Sequence, residues 1–175
     1  MALNPQTGAD NISQAYQLAA GIDASGQPAP STGGNFPQDW AQAYDDYAIA
    51  GVVPGAANTG GDKSILESFF SSGVGNSSAT ITTFAMALAD YWATVAVDPG
   101  APAHGGTAVV SVENDAASHI ADFETAIVSS MSSDLSTPFF LVMVQNIQTL
   151  AVDSIIWSVT ELVGGTPTTF QEVIT

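Results

Sequence analysis

A mainly α fold is predicted: a single-domain bundle of about five to six helices with Gly/Pro-rich loops and room for a minor short β pairing. Three features of the sequence point there. Apolar residues recur at three- and four-residue steps through most segments, Gly and Pro punctuate those segments, and the clearest β-branched run, Thr107 to Val112, is short. A chain of 175 residues can bury roughly two-thirds of its unfolded surface, enough for one core without staples. Residues 1–175 therefore read as one helical domain, with 23–36 a flexible arm or connection and 166–175 an extended C-terminal tail.

Asp10 is placed to cap a first helix that ends at Gly21, with Ile12, Ala15, Tyr16 and Ala19 on one face. The segment "DASGQPAPSTGGNF", Asp23 to Phe36, has neither helical nor strand period and reads as the arm. Pro37 suits the first turn of a second helix. Its Trp40, Tyr44, Tyr47, Ala48 and Gly51 form an aromatic stripe, leaving Asp39, Asp45 and Asp46 mainly off it. Asp62 can cap "KSILESFFSSG", whose Ile65, Leu66, Phe69 and Phe70 make an apolar face before Gly73. In "SSATITTFAMALADYWATVAVDPG", Ser77 or Ser78 caps a helix with a continuous stripe of Ile81, Phe84, Ala85, Leu88, Tyr91, Trp92 and Val95, stopped by Asp98-Pro99-Gly100.

The run "TAVVSV" reads as a lone strand in need of a partner, and Asp115 opens a fifth helix carrying Ile120, Phe123, Ile127 and Met131. A last helix, the longest, is expected from Thr137 to Val163, stopping at Gly164-Gly165. Gln145, Asn146, Gln148 and Asp153 interrupt its apolar run, which falls short of a membrane span. The ending "PTTFQEVIT" alternates, as a tail that adds to a neighbour's sheet or groove would.

Charge excludes whole classes of partner. Seventeen carboxylates face Lys63 alone, a formal net charge of −16, which repels nucleic-acid phosphates and anionic lipid surfaces. With so few cations in the chain, stability and assembly are expected to depend on salt. Charged residues are only 10% of the chain, so its surface must be largely Ser, Thr, Asn, Gln, Ala and Gly, as suits a surface covered by copies or partners. Without Cys there is no disulfide, thiolate metal site or Cys nucleophile. The start "MALNPQTGADN" has no basic and apolar leader, so synthesis in the cytoplasm without a signal peptide is expected.

One stretch repeats. "PGAANTGG", Pro54 to Gly61, returns 45 residues later as "PGAPAHGG", Pro99 to Gly106. "GAANTGGDKS" resembles a phosphate loop with two residues inserted before the Lys. A helix rather than a strand feeds it, the second copy has no Lys, and the local charge is negative, so a nucleotide site is not expected and Lys63 reads as a surface charge. At the same offset Asp45 meets Asp90, Tyr47 meets Trp92, Ala48 meets Ala93 and Val52 meets Val97, as in a duplicated helix-plus-loop unit. Chance similarity in so Ala- and Gly-rich a chain stays the competing reading. Either way, Pro and Gly end a helix and allow the next turn.

His104 and His119 are the neutral-pH acid/base candidates. Asp115, His119 and Asp122 share a helix face and could gather a cation, although a solvated face with local pairing accounts for the same spacing. Asp39, Asp45 and Asp46 could form a loose calcium patch, without an EF-hand pattern. No Gly-x-Ser-x-Gly elbow occurs, and no cationic cluster could stabilise an anionic transition state. Trp40, Tyr44, Tyr47, Tyr91, Trp92 and Trp157 fall at core positions, and any that prove exposed would be subunit contacts.

The opening "MALNPQTGADNISQAYQLAAGI", the helix "FAMALADYWATVAV" and the Gly/Pro/Ala-rich connections resemble the small acidic, helix-rich structural proteins of tailed-bacteriophage virions and phage-like particles. The resemblance implies a non-enzymatic building block of a capsid, neck or tail, and it carries over no site residue. The expected function is thus a self-associating structural subunit in a virion or other extracellular assembly. Its partners would be copies of itself and other proteins of the same particle, with no nucleic acid, membrane, cofactor, catalytic residue or metal ligand assigned. The alternatives are an acidic binding or chaperone-like protein masking a basic partner, an extracellular filament subunit, and an enzyme or cation-dependent binder using His104 or the Asp115/His119/Asp122 face.

Overall fold

The computed structural model describes residues 3–23, 25, 27–28, 35–72, 78–131 and 137–175. Most of the expected arm, the expected Ser77 cap and the expected stop at Gly73 lie outside them. Helix α1, Pro5–Ala20, starts six residues earlier than Asp10 suggests. The Asn4 side chain accepts the Gln6 N–H, and Pro5 occupies the first turn, where its missing N–H costs nothing. Asp10 instead accepts from Gln6 Nε2 one turn back. Gly21 ends the helix in the left-handed region as expected, while Ala19 is exposed rather than on the buried face.

Helices α2, Phe36–Ala48, α3, Lys63–Ser71, and α4, Ser78–Thr94, follow. Their facing stripes make an aromatic core. Trp40 stacks on Tyr44 at 5.3 Å, Tyr44 meets Tyr91 and Trp92 edge-on, and Trp92 Nε1 donates to the Tyr44 hydroxyl at 2.9 Å. Each such buried ring contributes roughly 2–3 kcal/mol by area, and the tilted geometry adds to it. Asp62 caps α3 through the Ser64 N–H, as expected.

After a 3₁₀ turn at Ala116–His119 come α5, Ile120–Ser130, and α6, Thr137–Leu150. Asp115 does not cap that turn, because its carboxylate accepts the Ile156 N–H, and Met131 is exposed rather than on the buried face. Helix α1 packs on α2 and α6, and α5 on α4 and α6.

The chain is not a pure bundle. The helix expected over 137–163 ends at Leu150, and its last seven residues are strand. Asp153 and Ser154 in a 3₁₀ turn break the helical run. From Trp157 the residues alternate Trp-Ser-Val-Thr-Glu-Leu-Val, with Trp157, Val159 and Glu161 buried and Ser158 and Thr160 partly exposed. Five strands are seen among the described residues: β1, Ala56–Ala57; β2, Asp98–Pro99; β3, Val109–Asn114; β4, Trp157–Val163; and β5, Thr166–Glu172. The order β3-β4-β5 makes an antiparallel sheet, so β4 is the partner that the lone strand needed.

Gly164 and Gly165, with φ of 60° and 85°, form a two-residue hairpin turn rather than a helix stop. The expected free tail 166–175 is therefore largely β5. Beyond it Ile174 is buried against Gly51, and Thr175 exchanges two main-chain hydrogen bonds with Val52. Val112, Trp157 and Val159 face the helices in one continuous core, and Trp157 Nε1 donates to the Val95 carbonyl at the end of α4.

Candidate functional site

The two copies of the repeated stretch meet. Strands β1 and β2 pair antiparallel, Ala56 opposite Pro99 and Ala57 opposite Asp98, and the Gly100 N–H donates to the Gly55 carbonyl. Each loop then turns through a glycine at the same position of the repeat, Gly60 at φ 82° and Gly105 at φ 84°. The N–H of the next glycine enters a buried carboxylate in both copies: Gly61 donates to Asp45 at 2.9 Å and Gly106 to Glu161 at 3.0 Å.

An asparagine also closes each preceding helix. Asn58 Nδ2 donates to the Ala48 and Gly51 carbonyls, and Asn114 Nδ2 to those of Trp92 and Val95. Each Asn Oδ1 accepts the N–H two residues on, from Gly60 and Ala116 respectively. Carbonyls left open at the two helix ends are satisfied in the same way.

In the first loop the donors that a phosphate would need are already taken. The Gly60 N–H goes to Asn58, Gly61 to Asp45, Asp62 to Thr94 Oγ1 and Ser64 to Asp62. A carboxylate, Asp45, fills the anion position, so the expectation that this is no nucleotide cradle agrees with the geometry. Asp45 was expected mainly off the buried stripe; it is 5% exposed and also accepts the Tyr91 hydroxyl at 2.6 Å. Burial, together with the Asp45 hydrogen bond and charge, pushes Tyr91 ionisation far above the ordinary phenol range. Lys63 donates to Gln42 Oε1 at 2.7 Å and lies 3.9 Å from Asp45, with its ammonium partly in solvent.

The second loop carries the strongest ionic cluster. Glu161, fully buried on β4, accepts from the main-chain N–H groups of Ala103, His104 and Gly106. His104 Nδ1 lies 3.0 Å from Glu161 and its Nε2 2.7 Å from Glu172 on β5, with the ring stacked on Phe170 at 4.0 Å. Two carboxylates facing both ring nitrogens favour the doubly protonated imidazolium. Burial alone would lower the His104 pKa, but hydrogen bonds to Glu161 and Glu172 and the charge of both acids outweigh it, and the net shift is upward. For Glu161 burial would raise the value, and the hydrogen bonds from Ala103, His104 and Gly106 reverse that, leaving it lowered.

His119 is also bracketed by acids, with Nδ1 2.8 Å from Asp122 and Nε2 3.3 Å from Asp115. The three residues come together in a local row, and among the described residues no group of three or more His, Asp or Glu is placed to hold a metal ion. Asp39 and Asp46 do not join Asp45. They line a shallow groove between α1 and α2 with Asn11, Gln14 and Gln42, while Asp45 points inward.

A second feature is apolar. A cleft of about 270 Å³ opens among α1 to α6, lined by Trp40, Phe69, Phe70, Phe84, Phe139 and Phe140 with their apolar neighbours. Trp40, Phe69, Phe84 and Phe140 are also core residues, so the cleft is an open end of the core.

Sequence reasoning missed Glu161, Glu172 and Phe170 because it placed the first in a helix and the others in a free tail. The signal that finds them is the alternation across Gly164-Gly165, two period-2 runs separated by a two-residue turn. No helix among the described residues is long and apolar enough to cross a membrane. No family model, curated protein or solved structure matches this chain.

Proposed function

We propose that this chain is a non-enzymatic structural subunit of a multi-copy assembly, a bacteriophage virion component in capsid, neck or tail that self-associates. The observation that carries the reading is how the acid/base candidate His104 is used: both of its ring nitrogens face carboxylates of its own chain, while His119 is engaged through Nδ1 by Asp122. A general base needs a free lone pair within reach of a substrate, and the His104 ring, with a carboxylate against each nitrogen, offers none. These groups act as bolts between loop and sheet, or along one helix, which suits a building block. The aromatic cleft and the charge-poor polar face of the sheet supply surface for contacts between copies.

The test is negative-stain microscopy and sedimentation of the purified protein across salt and calcium. Rings, tubes or lattices are expected once salt screens the −16 charge. A monomer under every condition overturns the reading. It would favour the acidic binding protein, for which the α1/α2 groove with Asp39 and Asp46 is the natural contact, and co-purification of a basic protein would identify it.

A further inference from the structure

We infer that the free edge of β5 is a self-pairing surface on which a second copy of this chain adds its own β5, antiparallel about a two-fold axis near Thr169. The inference rests on the structural-subunit reading and names the contact that such a subunit would use.

The phase of the sheet fixes which main-chain groups are free. Leu162 donates to the Ala108 carbonyl and accepts the Thr107 N–H, so the main-chain groups of Leu162, and with them those of Ser158 and Thr160, point toward β3. Glu161, Val159 and Trp157 then point toward β5, where they face Thr168, Phe170 and Glu172. The alternate residues Pro167, Thr169 and Gln171 aim their main-chain groups away from β4. Among the described residues none of these outward groups has a main-chain partner. Further along, Thr175 is already paired with Val52, so the open stretch is short and defined.

Charge selects the occupant. In a chain with 17 acids and one Lys, most pairs of surfaces on two copies repel. The β5 edge is an exception: Thr166, Pro167, Thr168, Thr169 and Gln171 are uncharged, and the Glu172 carboxylate is turned to His104 Nε2 at 2.7 Å. The outer face behind it is Ser158 and Thr160, joined to Gln171 and Thr169 by side-chain hydrogen bonds. A neutral, polar edge in an acidic protein is the strip that a copy can approach without like-charge cost.

Pro167 selects the register. Proline lacks an N–H and would break a ladder that needs one there. With Thr169 opposite its symmetry mate, Gln171 faces the mate's Pro167, whose carbonyl is the acceptor used, and roughly four main-chain hydrogen bonds form across the axis. The two three-stranded sheets become one of six strands, and both sets of helices stay on one side.

The chain has no Cys, so a single introduced thiol reports this contact directly. In the predicted register the two residues at position 169 have Cα atoms about 5.5 Å apart, within the bonding range of a disulfide. Full-length Thr169→Cys, mildly oxidised at the salt that supports self-association, is expected to form disulfide dimers at least about tenfold faster than Ser129→Cys, an exposed control on α5. Thr169→Pro removes the central outward N–H and is expected to weaken self-association by about tenfold or more, with the monomer's circular dichroism unchanged. If the wild type assembles while Thr169→Cys links no faster than the control, the β5 contact is overturned and the subunit reading stands. If the wild type never self-associates, both fall. Should Thr169→Pro misfold, the thiol comparison decides alone.

Discussion

In the first loop the carboxylate that receives a glycine N–H comes from α2, the helix that feeds the loop, and Tyr91 and Lys63 complete its surroundings. In the second, the repeated stretch, with the same Pro-Gly-Ala start and Gly-Gly end, is held by Glu161 from a distant strand, with His104 beside it. The backbone problem is the same, as the shared φ at Gly60 and Gly105 shows, and only the electrostatic solution differs. A short Gly-rich motif thus determines a turn and leaves the identity of its anchor open. The first anchor pairs an acid with a phenol whose ionisation lies far above neutral pH, while the second depends on an imidazole whose pKa its two acids raise above the ordinary value.

The largest difference is expected from removing the first anchor. Asp45→Ala leaves the Gly61 N–H and the buried Tyr91 hydroxyl without their acceptor, and a loss on the order of 3 kcal/mol in denaturant unfolding is expected. A loss under about 1 kcal/mol would show that the first loop is held by its turn alone.

The two glycines separate backbone strain from crowding. At Gly105 an added Cβ meets nothing within 4 Å, so Gly105→Ala carries only the left-handed penalty of about 1 kcal/mol. At Gly60 the Cβ runs into the Asp45 carboxylate, so Gly60→Ala is expected to cost clearly more, roughly 2–3 kcal/mol. Equal losses in thermal unfolding would mean that the first anchor moves aside freely.

The smallest effect is the pH dependence of the second anchor. His104 has a raised pKa, so its contribution is complete below the ordinary value of 6.5 and disappears as pH climbs through the raised value. Glu161 has a lowered one, so its contribution is complete above the ordinary 4.5 and disappears as pH falls through the lowered value. Stability from this cluster is therefore greatest between those two ordinary values. His104→Gln is expected to remove the alkaline loss and leave the acid one, as read from unfolding midpoints against pH. An unchanged alkaline limb would assign that loss to another group.

Much of the helical layer was legible because packing on one face imposes a period that survives in the sequence. Tyr91, Trp92 and Leu88 on α4, and Trp40 and Tyr44 on α2, occupy the buried stripes that their spacing predicts. The sheet was less so. Leu141 to Val144 and Ile155 to Trp157 read as one apolar run because buried helix and buried strand are equally apolar, and the change of period at Trp157 is visible only over the seven residues of β4. Once Glu161 was placed on a helix, its meeting with His104 could not be foreseen, since spacing within the chain says nothing of partners 57 residues apart. Asp45 was misplaced for a related reason: a carboxylate on the inner side of a helix is explained only by the loop N–H and the phenol that come to meet it.

The origin of the two anchors also sets an order in time. The anchor of the first loop, Asp45 with Tyr91 and Thr94, is present once α4 has been synthesised, and its contacts span fewer than 50 residues. The second loop must wait for β4 and for the hairpin that brings Glu172 to His104. On a ribosome the helical core and its first loop can close while the second still lacks its acid, so the chain is built as a seed followed by a clasp.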